Sequence, residues 1–303
     1  MREALSTSLV RLAQKDNKLL VLTGDHGYAL FDEFRTVCPS QYINAGIAEQ
    51  NMIGMAAGLA RLGFRPFVYG LAAFVPVRVI EQIKLDVAHD ELPVVFLGDG
   101  AGFVYSHLGT SHQSTEDIAC TRAIPNLQVL SPADRHEMNA CMNYSYKVAR
   151  PVYIRIGKSD RGDVHSEKLH GLTPGSIILI RQGRPDRPGI IATGSMVYTA
   201  MQVAEAYDGS VWSAPFVKPL SANLVVDAAK KTAGLITLEE HTRLGGLGSA
   251  VAEITADEFP TRVLRIGVND QFSQHCGSYN YLLTEHGIDV ESVRKKVFSS
   301  FNL

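Results

Sequence analysis

Glu49 is the residue of this sequence whose position most clearly suggests chemistry. It follows a turn at 44–48 and opens a helix pattern, rich in small apolar residues, that ends at Gly63. A carboxylate on so apolar a helix requires a hydrogen-bonding partner or a group with which to share a proton. Glu49 is therefore a candidate acid for proton transfer. The alternative is that Glu49 only complements the macrodipole of its helix from the first turn.

A second set of candidates lies in a loop at 105–115 that is rich in Ser, Gly, Thr and His. An imidazole can hydrogen-bond a carbonyl or hydroxyl group and transfer protons near neutral pH. His107, His112 and Gln113 of this loop are therefore candidates for contacts with a polar substrate. His26, in the first strand-to-helix loop, is a candidate for the same pocket. The alternative is an ordinary polar surface loop.

Arg155 and Lys158 end a predicted strand at the boundary between two halves of the chain. Charge-assisted hydrogen bonds are the strongest contacts a phosphate can receive. These two residues are therefore candidates for binding a substrate phosphate. The alternative is a solvated basic face.

The elements that must position these residues alternate between helix and strand. The pattern predicts helices at 3–14, 47–62, 75–89, 134–147, 197–207 and 291–301, and strands at 18–23, 41–44, 65–70, 92–97, 127–131, 151–156, 233–241 and 263–268. Continuous apolar strands between helices indicate parallel sheets covered on both faces. We expect two doubly wound α/β domains, at 1–157 and 187–303, joined by a Gly-, Pro- and Arg-rich connection at 158–186.

Composition excludes several classes of function. The net charge of −2 provides no basic stripe for nucleic acid or an anionic membrane. No apolar run approaches the roughly 20 residues that a membrane span needs, and the N-terminus has no signal-peptide pattern. The four cysteines are scattered, which predicts reduced thiols in a cytoplasmic protein and no metal site built from them.

Short motifs follow the Glu49 segment in a fixed order. They are Arg65-Pro66-Phe67, Phe74, Glu81-Gln82-Ile83, Leu92-Pro93-Val94, Thr110-Ser111-His112-Gln113, Glu116-Asp117-Ile118-Ala119, Arg122-Ala123-Ile124-Pro125-Asn126, Ser131-Pro132-Ala133-Asp134, Ala192-Thr193-Gly194-Ser195, Lys218-Pro219-Leu220, Glu239-Glu240-His241 and Gly245-Gly246-Leu247-Gly248. Each is weak alone. Their ordered succession over essentially the whole chain resembles the C-terminal half of a transketolase or a 1-deoxyxylulose-5-phosphate synthase.

The resemblance implies a pyrimidine-binding domain followed by a transketolase C-terminal domain, with thiamine diphosphate as cofactor. It assigns Glu49 as the catalytic acid that shares a proton with the aminopyrimidine ring, whose exocyclic amine then acts as a base. Phe74 would stack on that ring, Ile47 would contact the cofactor, and His112 would be the catalytic, substrate-contacting histidine. For Phe74 the alternative is plain core packing.

The chain departs from the family at two places. Transketolases have an aspartate four residues before the histidine that reads the stereochemistry of a substrate hydroxyl, and Leu108 stands there. The usual sugar-phosphate specificity is therefore open. The family also often has further aromatic residues near Phe74, where this chain has Leu71 and Val77.

Gly98-Asp99-Gly100 and Asn126 resemble the Mg²⁺- and diphosphate-binding motif of thiamine enzymes in their spacing. However, Leu127 replaces the second asparagine of that motif, and the strand before Asp99 matches the pyrimidine-binding domain. We therefore expect no metal ligand in this chain. The cofactor's Mg²⁺ or Ca²⁺ would be bound mainly by a partner.

The function implied is that of one subunit of a split transketolase, which moves a two-carbon ketol unit from a ketose to an aldose. Its partners would be an N-terminal, diphosphate-binding subunit, in an α2β2 heterotetramer, and a sugar or sugar phosphate. Three alternatives remain: the beta subunit of a 2-oxoacid dehydrogenase decarboxylase component, a decarboxylative ligase like deoxyxylulose-phosphate synthase, and a non-catalytic scaffold with the same fold.

Overall fold

The computed structural model describes residues 1–158 and 160–303, and the strands in this part of the chain form two sheets. In chain order the strands are β1 (Leu19–Thr23), β2 (Tyr42–Asn44), β3 (Arg65–Leu71), β4 (Val95–Asp99), β5 (Gln128–Leu130), β6 (Val152–Ile156), β7 (Ile178–Arg181), β8 (Gly189–Ala192), β9 (Val211–Ser213), β10 (Phe216–Lys218), β11 (Leu235–Thr242) and β12 (Val263–Val268).

Helices connect most of these strands. They are α1 (Arg2–Ala13), α2 (Asp32–Val37), α3 (Glu49–Arg61), α4 (Ile80–Gln82), α5 (Asp117–Arg122), α6 (Arg135–Lys147), α7 (Met196–Glu205), α8 (Ala222–Lys230), α9 (Leu247–Glu258), α10 (Tyr279–Glu285) and α11 (Val290–Phe301). No helix in the described residues is long and apolar enough to cross a membrane.

The first sheet has the order β10-β5-β6-β4-β3-β1-β2. Its strands are parallel except β10, which pairs antiparallel with β5. Apolar residues cover both faces: one cluster includes α1 and α6, and the other includes α3. Burial on both faces explains why these strands are continuously apolar. The α/β class with parallel-dominated sheets is confirmed.

The second sheet has the order β12-β11-β8-β9-β7. It takes one strand from the stretch expected as a connection, because β7 lies within 158–186 and pairs antiparallel with β9. Conversely, β10 leaves the second half of the chain to extend the first sheet. The second half of the chain therefore supplies the last strand of the first sheet. The two halves also share a core, because one apolar cluster contains residues of both, among them Ile53 and Val251.

Two helices differ from expectation. The helix expected from residue 47 begins at Glu49, because Gly46 has a φ of +72° and Ala48 lies outside the helical region. The segment expected as one helix at 75–89 is a 3₁₀ turn, α4 and a π-helical turn in succession. Its apolar residues recur every four positions, a spacing longer than the 3.6 residues of an α-helical turn. A π turn holds more residues, so these side chains continue to face the core.

Candidate active site

Four loops at the carboxyl edge of the first sheet bring predicted site residues together. The strands β4, β3, β1 and β2 are neighbours in that order. His26 follows β1, Glu49 follows β2, Phe74 follows β3, and the loop with His112 follows β4. Parallel strands end at the same edge, and the crevice outside that edge is where open α/β sheets bind ligands.

Glu49 is the first residue of α3 and is only 6% exposed. The preceding Ala48 has no side chain that could cap the helix, so the Glu49 carboxylate meets the positive end of the helix dipole. Its Oε1 accepts no hydrogen bond from the residues described. Arg78 Nη1 lies 3.2 Å from Oε1, an ion pair without hydrogen-bond geometry. A buried oxygen left in this state is costly, and a bound donor would satisfy it.

Phe74 is the centre of the surrounding group. Its half-buried ring lies 6.0 Å from the ring of His26 and 5.4 Å, nearly edge-on, from the ring of His112. The guanidinium carbon of Arg78 lies 4.0 Å from the Phe74 ring centroid. We call Glu49 and these four residues together the Glu49 cluster. The cluster combines an acid, two imidazoles and an aromatic ring, which suits proton handling beside a flat ligand.

The loops after β1 and β2 are tied together beside this cluster. Asn44 Oδ1 accepts hydrogen bonds from the backbone N–H groups of Asp25 and Gly46, at 3.1 and 2.9 Å. Asn44 Nδ2 donates to Asp25 Oδ1 at 3.1 Å. Hydrogen bonds from Asn44 and Tyr28 lower the pKa of the Asp25 carboxyl. This arrangement fixes the turn from which Glu49 starts its helix.

Three residues after β4 have different environments. His107 is exposed in a 3₁₀ turn, next to Leu108, which is 56% exposed. Gln113 is buried, and its Oε1 accepts a hydrogen bond from Ser273 at 2.8 Å. His112 Nδ1 lies 3.0 Å from Ser111 Oγ. Of the loop residues predicted to bind substrate, His112 is thus the one that the structure places in the Glu49 cluster.

Arg155 is buried, so the prediction that it binds a substrate phosphate is wrong. Its side chain is 1% exposed, because it turns into the boundary between the two sheets. Nε donates to Asp117 Oδ2 at 2.8 Å, and Nη2 donates to the carbonyls of Ser114 and Glu240. Burial opposes its charge, but the neighbouring Asp117, Tyr153 and Glu240 together more than compensate and raise the pKa of Arg155. Arg155 therefore has a structural role and does not reach a substrate.

Lys158 is accessible, unlike Arg155. Its side chain is 29% exposed, pairs with Asp160 at 3.2 Å, and lies 5.5 Å from the centroid of the Tyr279 ring. Ile47 is 76% exposed in the turn before α3. The structure leaves both residues open to a ligand, and their roles stay predictions.

Asp99, the acidic residue of the metal-like motif, is engaged within the fold. It is 2% exposed, accepts a hydrogen bond from Tyr69 at 2.6 Å, and pairs with Arg2 at 3.3 Å. Asn126 donates to the carbonyl of Ala88. Within residues 1–158 and 160–303, no group of three or more His, Cys, Asp or Glu side chains is arranged to hold a metal ion.

Three features of the site do not follow from the sequence patterns above. No motif marks Arg78, although it lies four residues after Phe74, a spacing that puts two side chains on one face of a helical segment. Position alone suggests His26, and the sequence does not show that its Nδ1 is a buried atom with no hydrogen bond in the described structure. The hydrogen bonds between Asn44 and Asp25 cannot be predicted from the sequence, which shows only that both residue types are common in turns.

Comparison with known proteins defines the family. Residues 1–162 match the transketolase pyrimidine-binding domain and residues 183–293 match the transketolase C-terminal domain. The chain therefore belongs to the transketolase family, as its motifs predicted. The family implies use of thiamine diphosphate.

Individual relatives agree with this assignment. One subunit of the apulose-4-phosphate transketolase of Phocaeicola vulgatus is 32% identical, over 97% of this chain and 95% of that protein. The solved structure of a split-gene transketolase, an inactive β4 tetramer, is 34% identical with a TM-score of 0.89, over 100% of this chain and 98% of that one. The 1-deoxy-D-xylulose-5-phosphate synthase of Acidovorax ebreus is 35% identical over 97% of this chain, which spans 46% of that enzyme.

Proposed function

We propose that this chain is the pyrimidine-binding subunit of a split transketolase, a transferase that moves a two-carbon ketol unit from a ketose to an aldose. The observation that carries the proposal is the buried Glu49 carboxylate. Its Oε1 accepts no hydrogen bond from any described residue, and the ring of Phe74 lies in the same cluster. Membership of the transketolase family and similarity to subunit-length relatives support it.

Thiamine diphosphate fits this group of residues. When bound, it supplies the reactive carbon and the electron sink for breaking and forming the carbon–carbon bond. Glu49 would share a proton with the aminopyrimidine ring through Oε1, Phe74 would present its ring to that aromatic system, and the exposed side chain of Ile47 would cover it. The Glu49 carboxylate remains in place without the ligand because the N-terminus of α3 stabilises its charge.

The histidines would handle the substrate. His112 and His26 flank Phe74, and an imidazole can both hydrogen-bond a hydroxyl or carbonyl and transfer a proton near neutral pH. Ser111 Oγ, near Nδ1 of His112, would leave Nε2 available to the substrate. His107 and Gln113 lie in the same loop. Lys158 would attract a phosphate group, and the exposed Leu108 would favour a donor sugar without the usual hydroxyl contact.

The diphosphate end of the cofactor would belong to a second polypeptide. We assign its Mg²⁺ or Ca²⁺ mainly to that partner, because Asp99 is already committed to Tyr69 and Arg2. We propose an α2β2 heterotetramer in the cytoplasm. The related split-gene transketolase is inactive as a β4 tetramer, and this supports a requirement for a partner in the present chain.

Reconstitution tests the proposal. The purified chain is assayed with thiamine diphosphate and Mg²⁺, alone and after mixing with a partner chain that carries the diphosphate-binding domain. Ketose and aldose pairs are supplied, with and without phosphate groups. We expect ketol transfer from the mixture and none from either chain alone. Turnover by the chain alone would overturn the proposal.

A decarboxylative ligase is the second candidate, favoured by the 35% identity to a 1-deoxy-D-xylulose-5-phosphate synthase. The same mixture is assayed with a 2-oxoacid donor and an aldose acceptor. Carbon dioxide release that depends on the aldose would favour this candidate. Dye reduction by a 2-oxoacid without an aldose would instead favour the dehydrogenase subunit.

A further inference from the structure

The loop that carries His112 is closed at its base. The backbone groups of Gly102 and Ser114 form an antiparallel bridge, with N–H to carbonyl distances of 2.7 and 3.1 Å. Residues 103–113, which we call the histidine loop, extend from this bridge toward the Glu49 cluster. Since both ends meet at one point, whatever holds the bridge sets the position of His112.

Glu240 reaches this base from the second sheet. Its side chain extends from β11, is 1% exposed, and accepts a hydrogen bond at Oε1 from the Phe103 backbone N–H at 2.7 Å. At Gly102 the φ is +69°, and a Cβ atom would collide with the Glu240 carboxylate. The loop base is thus shaped to receive this one side chain.

Groups of the second domain fix the other oxygen of Glu240. Ser195 Oγ donates to Oε2 at 2.5 Å, and the Tyr279 hydroxyl donates to the same oxygen. With Phe103 included, the carboxylate accepts three hydrogen bonds. A buried carboxylate that is satisfied in this way has little freedom to move.

Arg155 joins the same assembly from the first sheet. Its Nη2 donates to the carbonyl of Ser114, on one side of the bridge, and to the carbonyl of Glu240, at 3.2 and 2.8 Å. Its Nε is paired with Asp117. We call Glu240, Arg155, Asp117, Ser195 and Tyr279 the interdomain network.

The C-terminal end of the histidine loop, at Gln113, is also hydrogen-bonded to the second domain. Ser273 Oγ donates to Gln113 Oε1 at 2.8 Å and lies 2.9 Å from His286 Nε2. The rings of Phe103 and His286 are stacked, with centroids 4.6 Å apart. The second domain therefore contacts the loop next to each of its two ends.

We infer that Glu240 is a positioning residue of the active site: from the second domain it holds the base of the histidine loop and thereby sets the place of His112. Glu240 itself touches no substrate. The inference rests on the proposed function in one respect, that His112 contacts the substrate. It gives the second domain a specific part in the active site of this subunit.

Hydrogen–deuterium exchange of the folded chain tests the inference without any assay of activity. Glu240→Ala removes the acceptor for Phe103, and we expect backbone amides of residues 103–113 to exchange about tenfold faster than in the wild type. Glu240→Gln keeps an acceptor oxygen and should restore most of the protection. Unchanged exchange of the loop in Glu240→Ala would overturn the inference.

Glu239→Ala is the matched control. Glu239 is the adjacent residue, equally buried, but it accepts its hydrogen bonds from the backbone of Leu247 and Gly248 at the start of α9. Exchange should rise at α9 and not in the histidine loop. Equal loosening of the loop in both variants would show general destabilisation and contradict the inference. If Glu240→Ala does not fold, Tyr279→Phe replaces it, with a rise in loop exchange of about threefold expected and no rise contradicting the inference.

Kinetics of the reconstituted enzyme separate positioning from binding of the cofactor. Glu240→Ala should raise the KM for the sugar about tenfold, with the thiamine diphosphate affinity unchanged, because His112 is displaced while Glu49 is not. A changed cofactor affinity with an unchanged KM would contradict the inference. If the wild-type mixture has no activity with any substrate, the proposed function fails, whereas the exchange data still decide the role of Glu240.

Discussion

Two buried glutamates, Glu49 and Glu240, differ in how far the protein satisfies them. Glu240 is 1% exposed and accepts three hydrogen bonds from two domains. Glu49 is 6% exposed, and its Oε1 accepts none within the part of the chain described. Both lie beside an arginine, but Arg155 is 1% exposed whereas the side chain of Arg78 is 47% exposed.

The difference indicates what each region is for. Buried polar networks that are fully satisfied make a structure rigid, whereas an unsatisfied buried group lowers stability unless a ligand completes it. The interdomain network therefore fits a structural role, and the Glu49 cluster fits a binding role. Changes in the interdomain network should lower stability and loosen the histidine loop, whereas changes in the Glu49 cluster should lower turnover or alter cofactor binding and leave stability nearly unchanged.

The largest effect is expected for Glu49→Gln. The substitution keeps the size of the side chain but removes the shared proton, so turnover by the reconstituted complex should fall by about 10³-fold. The unfolding free energy should change little. Glu81→Gln, at an exposed position of α4, is the control and should keep full turnover. A Glu49→Gln complex with wild-type turnover would place this residue with the structural glutamates.

Arg155→Met should show the reverse pattern. It leaves Asp117 buried without its cation, so chemical denaturation should give an unfolding free energy lower by about 3–5 kcal/mol. Arg184→Met, which removes an exposed pair with Asp186, should leave the unfolding free energy unchanged, because solvent screens such a pair. If Arg155→Met lowers the unfolding free energy no more than the control does, the interdomain network does not stabilise the fold.

Another buried carboxylate, that of Glu137, should make the stability of the folded chain depend on pH. Burial raises its pKa from 4.5 to about 7 in the folded chain. The folded state therefore keeps a proton that the unfolded state releases, and stability falls as the pH rises from about 5 through 7. The Nε2 atom of His165 lies 3.6 Å from Glu137 Oε1. Burial opposes the charge of His165, but its hydrogen bond with Asp134 and the negative charges of Glu137 and Asp163 together outweigh burial and raise its pKa. His165 therefore also makes stability fall as the pH rises.

Glu137→Gln should remove its part of this slope. Between pH 5 and pH 8 the wild type should lose about 2 kcal/mol more stability than the variant, measured by urea denaturation at each pH. Parallel curves for the two proteins would mean that Glu137 is ionised in the folded chain. Ketol-transfer activity, measured at one pH, should be unaffected, which sets Glu137 beside the structural glutamates.

The smallest effect is expected for Arg78→Met. Arg78 contacts the Glu49 carboxylate and the Phe74 ring, the two groups that we expect to receive the aminopyrimidine. Removing this competitor should tighten thiamine diphosphate binding about two- to threefold in a calorimetric titration of the complex. Arg61→Met, an exposed arginine of α3 paired with Asp90, should not alter it. Weaker binding would mean that Arg78 holds the cofactor.

The local parts of the site could be predicted from sequence. Glu49 and its apolar helix lie within a few residues of each other, and the loops after successive strands of a parallel sheet must meet at one edge. For this reason His26, Phe74 and His112 are expected at one edge from the sequence alone. The fold class follows from the same alternation of helix and strand.

The role of Arg155 could not be predicted in this way. Its partners Asp117 and Glu240 are separated from it by 38 and 85 residues, and no spacing rule links them. A basic residue at a strand end has the same sequence signal whether it binds phosphate or is buried. The transfer of β10 to the first sheet is hidden for the same reason, because strand pairing depends on tertiary contacts.

A crystal structure of this chain with its partner and thiamine diphosphate would test the central claim most directly. We predict the aminopyrimidine ring against Phe74, with Glu49 Oε1 within hydrogen-bond distance of a ring nitrogen and Arg78 displaced. The diphosphate and its metal should be held by the partner. Diphosphate or metal bound at Asp99, with Glu49 still paired to Arg78, would contradict the assignment of Glu49 as the cofactor's proton partner.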